Sequence, residues 1–201
     1  MSLPNIAVLI SGRGSNMMAL ASAIDRGELH ARLACVVSNR ADAPGLKLAA
    51  DRQIPTCVLP HQGLSRQAHG RQIREALAPH QISLICLAGF MRLLDGEFIQ
   101  AYKNQIVNIH PSLLPAFPGL HAQAQAFEYG VKVTGCTVHF VDEELDHGPI
   151  IAQTAVLSQD TDTQETLAQR ILDAEHRLYP AAVEKILHSR WTIQERRVIF
   201  G

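Results

Sequence analysis

Short apolar runs alternate with amphipathic segments along most of the chain, and both patterns predict regular structure. Residues 5–10, 33–38 and 83–88 are continuous apolar runs, which indicate buried strands. Shorter runs at 56–59 and 105–109 are further strand candidates. Because these runs are apolar throughout instead of alternating, they are typical of a sheet that is covered on both faces.

Helical spacing of apolar residues fills the intervals between the predicted strands. The predicted helices cover residues 17–26, 45–52, 66–77 and 163–188. Asp162 and Glu165 are placed to start the last helix in the manner of a capping box. Strands that alternate with helices in this way favour a doubly wound, mostly parallel sheet.

The last third of the chain has a different pattern. Residues 133–141 and 150–156 predict two strands joined by a polar loop at 142–148, and we expect an antiparallel, hairpin-like pair. Nothing in the 201 residues is typical of a linker, so one domain, 1–201, is expected. The predicted fold is α/β: a single doubly wound, mostly parallel, Rossmann-like sheet with helices on both faces and an antiparallel C-terminal strand addition.

Composition narrows the functional class. Hydrophobic residues make up 47% and charged residues 18%, which excludes a disordered chain. The formal net charge is -1 and basic residues do not cluster, so no nucleic acid partner is expected. The longest strongly apolar stretch, 82–91, is too short to cross a bilayer, so no membrane partner is expected. Segment 104–127 lacks charged side chains, but its prolines predict a loop.

The N-terminus and the cysteines bear on location. No basic region precedes the first predicted strand, so we expect no signal peptide and a cytoplasmic protein. No two cysteines have CxxC spacing, which is evidence against a zinc or redox motif and favours buried free thiols. The four cysteines are Cys35, Cys57, Cys86 and Cys136.

The segment SGRGSN at 11–16 joins the first predicted strand to the first helix. Gly12 and Gly14 let the backbone bend and approach a ligand, and Ser15 or Asn16 is expected to cap the helix. The N–H groups at that helix end favour an anion, most often a phosphate. The segment lacks the Gly-Lys-Ser/Thr of a Walker loop and the third glycine of a dinucleotide fingerprint. A plain strand-to-helix turn is the alternative.

Asn108 and His110 form a second candidate, because side chains two residues apart on a strand project to the same side. An amide donor beside a titratable imidazole suits addition to a carbonyl, since one stabilises the oxyanion and the other moves protons. A purely structural histidine in an apolar strand is the alternative for His110.

Asp146, just before the Gly148-Pro149 bend, is the third candidate. Aimed at His110, its carboxylate would stabilise a charged imidazole. A solvated acidic turn is the alternative, and spacing alone leaves both open. No set of His, Asp and Glu has the spacing of metal ligands, so no metal is expected. His121 and His139 lie nearer this candidate site than the remaining histidines, which are expected in loops or on polar helix faces. These are His30, His61, His69, His80 and His188.

Five segments, in order along the chain, resemble the phosphoribosylglycinamide formyltransferase family. They are SGRGSN at 11–16, AGFMRLL at 88–94, NIHPSLLPAFPGLHA at 108–122, TGCTVHFVDEELDHGPII at 134–151 and AEHRLYP at 174–180. The resemblance covers nearly the whole chain. It implies direct formyl transfer from the cosubstrate 10-formyltetrahydrofolate to the amine of glycinamide ribonucleotide, a step of purine biosynthesis, with no metal.

The resemblance also implies roles for individual residues. The positions that match the family's catalytic residues are Asn108, His110 and Asp146. Those that match its site for the acceptor's phosphate and ribose are Gly12, Gly14, Ser15, Asn16 and Glu175. Those that match its folate site are Arg66, Met91, Arg92, Leu93, Leu94, Asn108, Val141, Asp142 and Asp146. Residues 1–100 are thus expected to be a phosphate-binding half, and 101–201 a catalytic and folate-binding half.

The sequence departs from the family pattern at three positions. Arg13 stands where many relatives have Asn, His147 replaces a glycine, and Leu172 falls where some relatives have a polar side chain near the ribose. The same fold is expected of formyltetrahydrofolate hydrolase and methionyl-tRNA formyltransferase, whose additional domains this chain has no room for. A non-catalytic phosphate- or nucleotide-binding module is a further alternative. A monomer or homodimer is expected.

Overall fold

The computed structural model describes residues 3–201, which divide into two compact units at the bond between Asn108 and Ile109. The first unit alternates strands and helices as the sequence pattern predicts. Its elements are β1 (Asn5–Ile10), α1 (Ser15–Asp25), β2 (Arg32–Ser38), α2 (Pro44–Asp51), β3 (Thr56–Val58), α3 (Arg66–Leu77), β4 (Ile82–Leu87), α4 (Gly96–Ala101) and β5 (Ile106–His110), whose last two residues belong to the second unit.

Each strand pair within the first unit is parallel, in the order β3-β2-β1-β4-β5. Parallel neighbours cannot be joined by a tight turn, and the helices between the strands supply the crossover connections. The central strand β1 is fully buried from Ile6 to Ile10. This burial explains the continuous apolar run that identifies the strand in the sequence.

The second unit combines a mixed set of strands with one long helix. Its further elements are α5 (Ala122–Tyr129), β6 (Val133–Phe140), β7 (Ile150–Leu157), α6 (Gln164–His188), β8 (Trp191–Gln194) and β9 (Arg197–Phe200). Strands β6 and β7 are antiparallel, β9 pairs in parallel with β7, and β8 is antiparallel to β9. Helix α6 packs on β6 and β7 through a face that includes Leu167, Ile171 and Tyr179.

These elements confirm the predicted α/β class, the mostly parallel strands and the antiparallel addition after residue 132. Three expectations about local structure are wrong. The segment predicted as a loop contains α5, and α1 begins at Gly14 without a side-chain cap from Ser15 or Asn16. The capping box of α6 is formed by Thr163 and Thr166, because their hydroxyl groups reach each other's backbone N–H groups.

Helix α4 and the hairpin of β8 and β9 are elements that the sequence pattern does not predict. The four cysteines are free, as predicted, and burial raises the pKa of Cys35 to about 11 and that of Cys136 to about 12. Within residues 3–201, every helix is too short or too polar to cross a membrane.

His69 lies inside the first unit instead of on a polar helix face, where the sequence placed it. It is 2% exposed, its Nε2 lies 2.9 Å from the carbonyl oxygen of Leu59, and its ring stacks on Phe90. Burial lowers the pKa of His69, with smaller contributions from the charges of Arg92 and His61. The folded protein therefore holds this imidazole neutral more strongly than the unfolded chain does.

This burial predicts acid sensitivity. An unfolded histidine binds a proton below about pH 6.5, before buried His69 does, so His69's contribution to stability is lost as the pH falls further. We expect His69→Gln to flatten the dependence of the unfolding free energy on pH between about 7 and 5. Urea titrations at several pH values measure this dependence, and the control is His30→Gln, a substitution of an exposed histidine. Parallel curves for wild type and His69→Gln would contradict the prediction.

Candidate active site

The turn between β1 and α1 requires glycine at residue 14. Gly14 adopts a left-handed φ of 75°, and a Cβ atom there would lie 2.8 Å from the Cα atom of Gly45. The two strand-to-helix turns are also joined by a hydrogen bond, because Gly45 N donates to Gly12 O at 3.1 Å. At Gly12, by contrast, a Cβ atom would meet nothing within 4 Å.

Helix α1 directs its N-terminal backbone N–H groups out of this turn. Its first intrahelical hydrogen bond runs from Met18 N to Gly14 O at 2.9 Å, so the preceding N–H groups point beyond the helix end. No acidic side chain lies in its first turn. The positive end of the helix dipole thus faces the loop of Gly12 to Asn16, an arrangement that favours an anion.

The hydroxyl group of Ser11 joins this loop to the segment after β4. Ser11 Oγ donates to Asn39 Oδ1 at 2.6 Å and accepts a hydrogen bond from Met91 N at 2.7 Å. Ser11 and Asn39 are 5% and 1% exposed, so both hydrogen bonds are shielded from water. From the sequence, Ser11 is included only as the first residue of the glycine-rich segment, and Asn39 is not identified as a partner of that segment.

The segment 91–94 presents side chains to solvent while its backbone is held. Met91 and Leu93 are exposed, and Arg92 Nη2 donates to the carbonyl oxygen of Leu64 at 2.8 Å. Arg66, another residue matched to folate binding in this unit, is the exposed first residue of α3.

Asn108 and His110 occupy alternate positions of β5, as the sequence predicts. Asn108 is the partner of Leu87 of β4 in the parallel register and is half-buried. His110 is 4% exposed.

Asp146 lies beside His110 within the second unit. His110 Nδ1 is 3.4 Å from Asp146 Oδ2, and His110 Nε2 is 2.9 Å from the carbonyl oxygen of Phe117. Both ring nitrogens therefore face oxygen atoms that can accept a hydrogen bond. Asp146 Oδ2 also accepts a hydrogen bond from Gly119 N at 2.7 Å. The solvated acidic turn, which was the alternative for Asp146, is wrong, because only 10% of its side chain is exposed.

A second imidazole approaches the same carboxylate. His139 of β6 places Nε2 3.8 Å from Asp146 Oδ1, while its Nδ1 is 2.8 Å from the carbonyl oxygen of Phe140. Burial lowers the pKa of His139, despite the opposing effects of Phe140 O and Asp146. The imidazole of His139 is therefore neutral at pH 7, and its Nδ1–H donates to Phe140.

Left-handed backbone conformations cluster around His110 and Asp146. Phe117, His121 and Asp146 have φ angles of 51°, 61° and 51°, and none of them is glycine. Such conformations persist where surrounding contacts determine them, and they concentrate at functional sites. The geometry thus gives a physical reason to treat this part of the chain as an active site.

Two further predicted site residues lie on neighbouring elements of the second unit. Glu175 is on the buried face of α6, 5% exposed, and its charge contributes to the raised pKa of Cys136 on β6. Asp142 follows Val141 at the start of the loop after β6 and accepts a hydrogen bond from Glu144 N at 3.1 Å. Among residues 3–201, no group of three or more His, Cys, Asp or Glu side chains could hold a metal ion.

Comparison with known proteins decides between the families that this geometry could serve. Residues 4–183 match the family described as formyl transferase. The chain belongs to the formyl transferase family. It is 43% identical over 186 residues to the phosphoribosylglycinamide formyltransferase of Bacillus subtilis (strain 168), covering 92% of this chain and 95% of that relative.

Other relatives of this formyl transferase are much longer. It is 47% identical over 182 residues to the trifunctional purine biosynthetic protein adenosine-3 of Gallus gallus. That match covers 90% of this chain but 18% of the relative, so the chain spans less than a fifth of that protein's length.

Solved structures share the fold. The crystal structure of glycinamide ribonucleotide transformylase 1 from Symbiobacterium toebii has a TM-score of 0.95 and 46% identity, covering 99% of this chain and 94% of that one. A formyltetrahydrofolate deformylase from Pseudomonas syringae pv. tomato has a TM-score of 0.91 at 27% identity, covering 98% and 66%. The fold alone therefore does not separate a transferase from a deformylase.

The conformation of Gly14 predicts a stability difference within one loop of this formyl transferase. Gly14→Ala combines a left-handed φ with a clash against Gly45, so we expect a loss of about 1–3 kcal/mol of unfolding free energy. Gly12→Ala is the matched control, and a change of less than about 1 kcal/mol is expected because its Cβ enters open space. Urea denaturation measures both, and equal losses would contradict the assignment.

Proposed function

We propose that this formyl transferase moves the formyl group of 10-formyltetrahydrofolate to the amine of glycinamide ribonucleotide, giving formylglycinamide ribonucleotide and tetrahydrofolate. The observation that carries the proposal is the buried pair of His110 and Asp146, 3.4 Å apart, with Asn108 two residues along the same strand. The similarity to phosphoribosylglycinamide formyltransferases over most of both chains supports the same acceptor and the same place in purine biosynthesis.

The three proposed catalytic residues divide the work of one addition. The amine nitrogen of the acceptor attacks the formyl carbon, and negative charge develops on the formyl oxygen. Asn108 donates a hydrogen bond to that oxygen, and charged His110 stabilises it electrostatically. Asp146 keeps His110 charged and orders a water molecule that carries the amine's proton away. The bond from the formyl carbon to the folate nitrogen then breaks, and that nitrogen takes up a proton.

The first unit is proposed to bind the acceptor's phosphate. Gly12, Gly14, Ser15 and Asn16 surround the N-terminal end of α1, where backbone N–H groups point out of the helix. Glu175, a buried carboxylate on α6, is proposed to accept hydrogen bonds from the ribose hydroxyl groups. A carboxylate oxygen accepts from a hydroxyl donor without any change in protonation.

Folate is proposed to bind to two stretches of backbone, one cation and one amide side chain. In the first unit these are the segment of Met91, Arg92, Leu93 and Leu94, Arg66 at the start of α3, and Asn108 of β5. In the second unit they are Val141, Asp142 and Asp146 of the loop after β6. A pterin ring is flat and carries donors and acceptors on its edge, so held backbone groups are suitable partners.

A formyltetrahydrofolate deformylase is the second candidate, because one such enzyme shares the fold at a TM-score of 0.91. Its reaction delivers water to the formyl carbon and needs no phosphate site. Residence in the cytoplasm, a monomeric or homodimeric state, the absence of a nucleic acid partner and the division of roles between 1–100 and 101–201 stay predictions.

An assay with three acceptors tests the proposed function. Turnover of 10-formyltetrahydrofolate is measured with glycinamide ribonucleotide, with the dephosphorylated glycinamide riboside, and with water alone. We expect kcat/KM to fall about a hundredfold or more for the riboside, since several charge-assisted hydrogen bonds of about 1.5–3 kcal/mol each are lost. Negligible turnover is expected with water.

The outcomes of this assay distinguish the transferase from the deformylase and test the phosphate site separately. Equal rates with all three additions would overturn the transferase and leave the deformylase. Equal rates with the two acceptors and none with water would keep the transferase but remove phosphate binding from the loop of Gly12 to Asn16.

Substitutions test the catalytic roles. Asn108→Ala is expected to lower kcat about 10²–10³-fold, because it removes an oxyanion donor. His110→Ala is expected to lower kcat about 10²–10⁴-fold. His30→Ala, an exposed histidine of the first unit, is the control and should keep wild-type kcat within about twofold. A variant that turns over like wild type while its circular dichroism is unchanged would remove the role given to that residue.

A further inference from the structure

The hairpin of β8 and β9 brings a cation to the loop that carries Asp146. Strand β9 runs parallel to β7, and Arg197 is the partner of Ile150 in the register. Arg196, one residue earlier in the two-residue turn, is therefore level with Pro149, at the end of the 142–148 loop. Backbone pairing, and not chance contact of long side chains, sets this position.

Arg196 contacts the loop through both arms of its guanidinium. Its Nη2 donates to the carbonyl oxygen of His147, and its Nη1 lies 2.6 Å from His147 Nε2 and 3.2 Å from Nδ1. His147 Nδ1 is 3.0 Å from Asp142 Oδ2. In the tautomer that carries its proton on Nδ1, Nδ1–H donates to the carboxylate while Nε2 accepts from the guanidinium. These contacts connect three residues, Asp142, His147 and Arg196, into one group, the loop clamp.

The backbone on either side of His147 has an unusual conformation. Asp146 has a left-handed φ of 51° and directly precedes His147, whose carbonyl oxygen Arg196 holds. After it, Gly148 packs so closely on β6 that a Cβ atom would lie 1.8 Å from the carbonyl oxygen of Phe140. Aspartate adopts this conformation more readily than most residues do, and here contacts also fix the chain on its C-terminal side.

Single exposed ion pairs contribute little, and the side chain of His147 is 42% exposed. The loop clamp differs because one guanidinium binds a carbonyl oxygen and a ring nitrogen of the same residue, which restrains both backbone and side chain. Glu144 Oε2, 3.9 Å from His147 Nε2, is a further acidic group near this ring.

We propose that Arg196 and His147 are positioning residues, which hold the 142–148 loop so that the carboxylate of Asp146 stays beside His110. The proposal rests on the proposed function for its catalytic consequence.

Kinetics and hydrogen exchange of substituted full-length protein test the loop clamp. We expect Arg196→Ala to lower kcat about fivefold and to raise the KM for 10-formyltetrahydrofolate about fivefold, because the loop carries both Asp146 and folate contacts. The KM for glycinamide ribonucleotide should stay within about twofold. Arg197→Ala, which removes the same charge one residue along the hairpin, is the matched control and should leave all three constants within about twofold.

Two further variants separate positioning from general stability. Arg196→Lys keeps the charge but not the forked geometry, so an intermediate effect is expected. His147→Ala should have a smaller effect than Arg196→Ala, because the carbonyl contact survives, and it should add little in the Arg196→Ala background. Amide hydrogen exchange of residues 142–147 should be about tenfold faster in Arg196→Ala, with the thermal midpoint unchanged within about 2 °C.

The outcomes distinguish this proposal from the proposed function. Wild-type protein that formylates no glycinamide ribonucleotide would overturn the proposed function. Hydrogen exchange of residues 142–147 in Arg196→Ala and Arg197→Ala would still test the loop clamp. Active wild type with Arg196→Ala indistinguishable from Arg197→Ala, in kinetics and in exchange, would overturn the loop clamp alone.

Discussion

Removal of a carboxylate from water is the constraint on which the second unit depends. A buried carboxylate must be hydrogen-bonded and paired, and Asp146 meets this requirement through Gly119 N and His110. The backbone beside both contacts is unusual, since Phe117 and Asp146 adopt left-handed φ angles. These turns therefore accompany a carboxylate and an imidazole that lie side by side at the end of β5.

At the ends of the strands in the first unit, some polar groups are paired within the protein and others point out of it. Ser11 and Asn39 satisfy each other in the interior, so no ligand is needed to complete their hydrogen bonds. The N–H groups at the start of α1 are left pointing out of the turn, held there by the close approach of Gly14 to Gly45. One set of polar groups stabilises the turn, and the other is available for an anion.

Sequence patterns predict the elements that are buried along their whole length. They miss elements whose position depends on contacts between residues far apart in the sequence. Strand β1 is recognisable because both of its faces are covered, whereas α4 has six residues and is too short for helical spacing to be visible. The residues of the candidate site are identifiable from spacing and resemblance. The 3.4 Å between His110 and Asp146 is not, since it depends on how loops far apart in sequence fold together. The contact of Arg196 with His147 lies 49 residues apart and follows from strand pairing that no local pattern encodes.

The hydrogen bond from Met91 N to Ser11 Oγ has a consequence for sequence variation. It uses the main chain of Met91, while 64% of that residue is exposed. The side chain at 91 is therefore free to differ in size and polarity without loss of the bond to Ser11. Proline is the exception, because it has no N–H to donate. Among the twenty amino acids, the chemistry of this single bond excludes only that one.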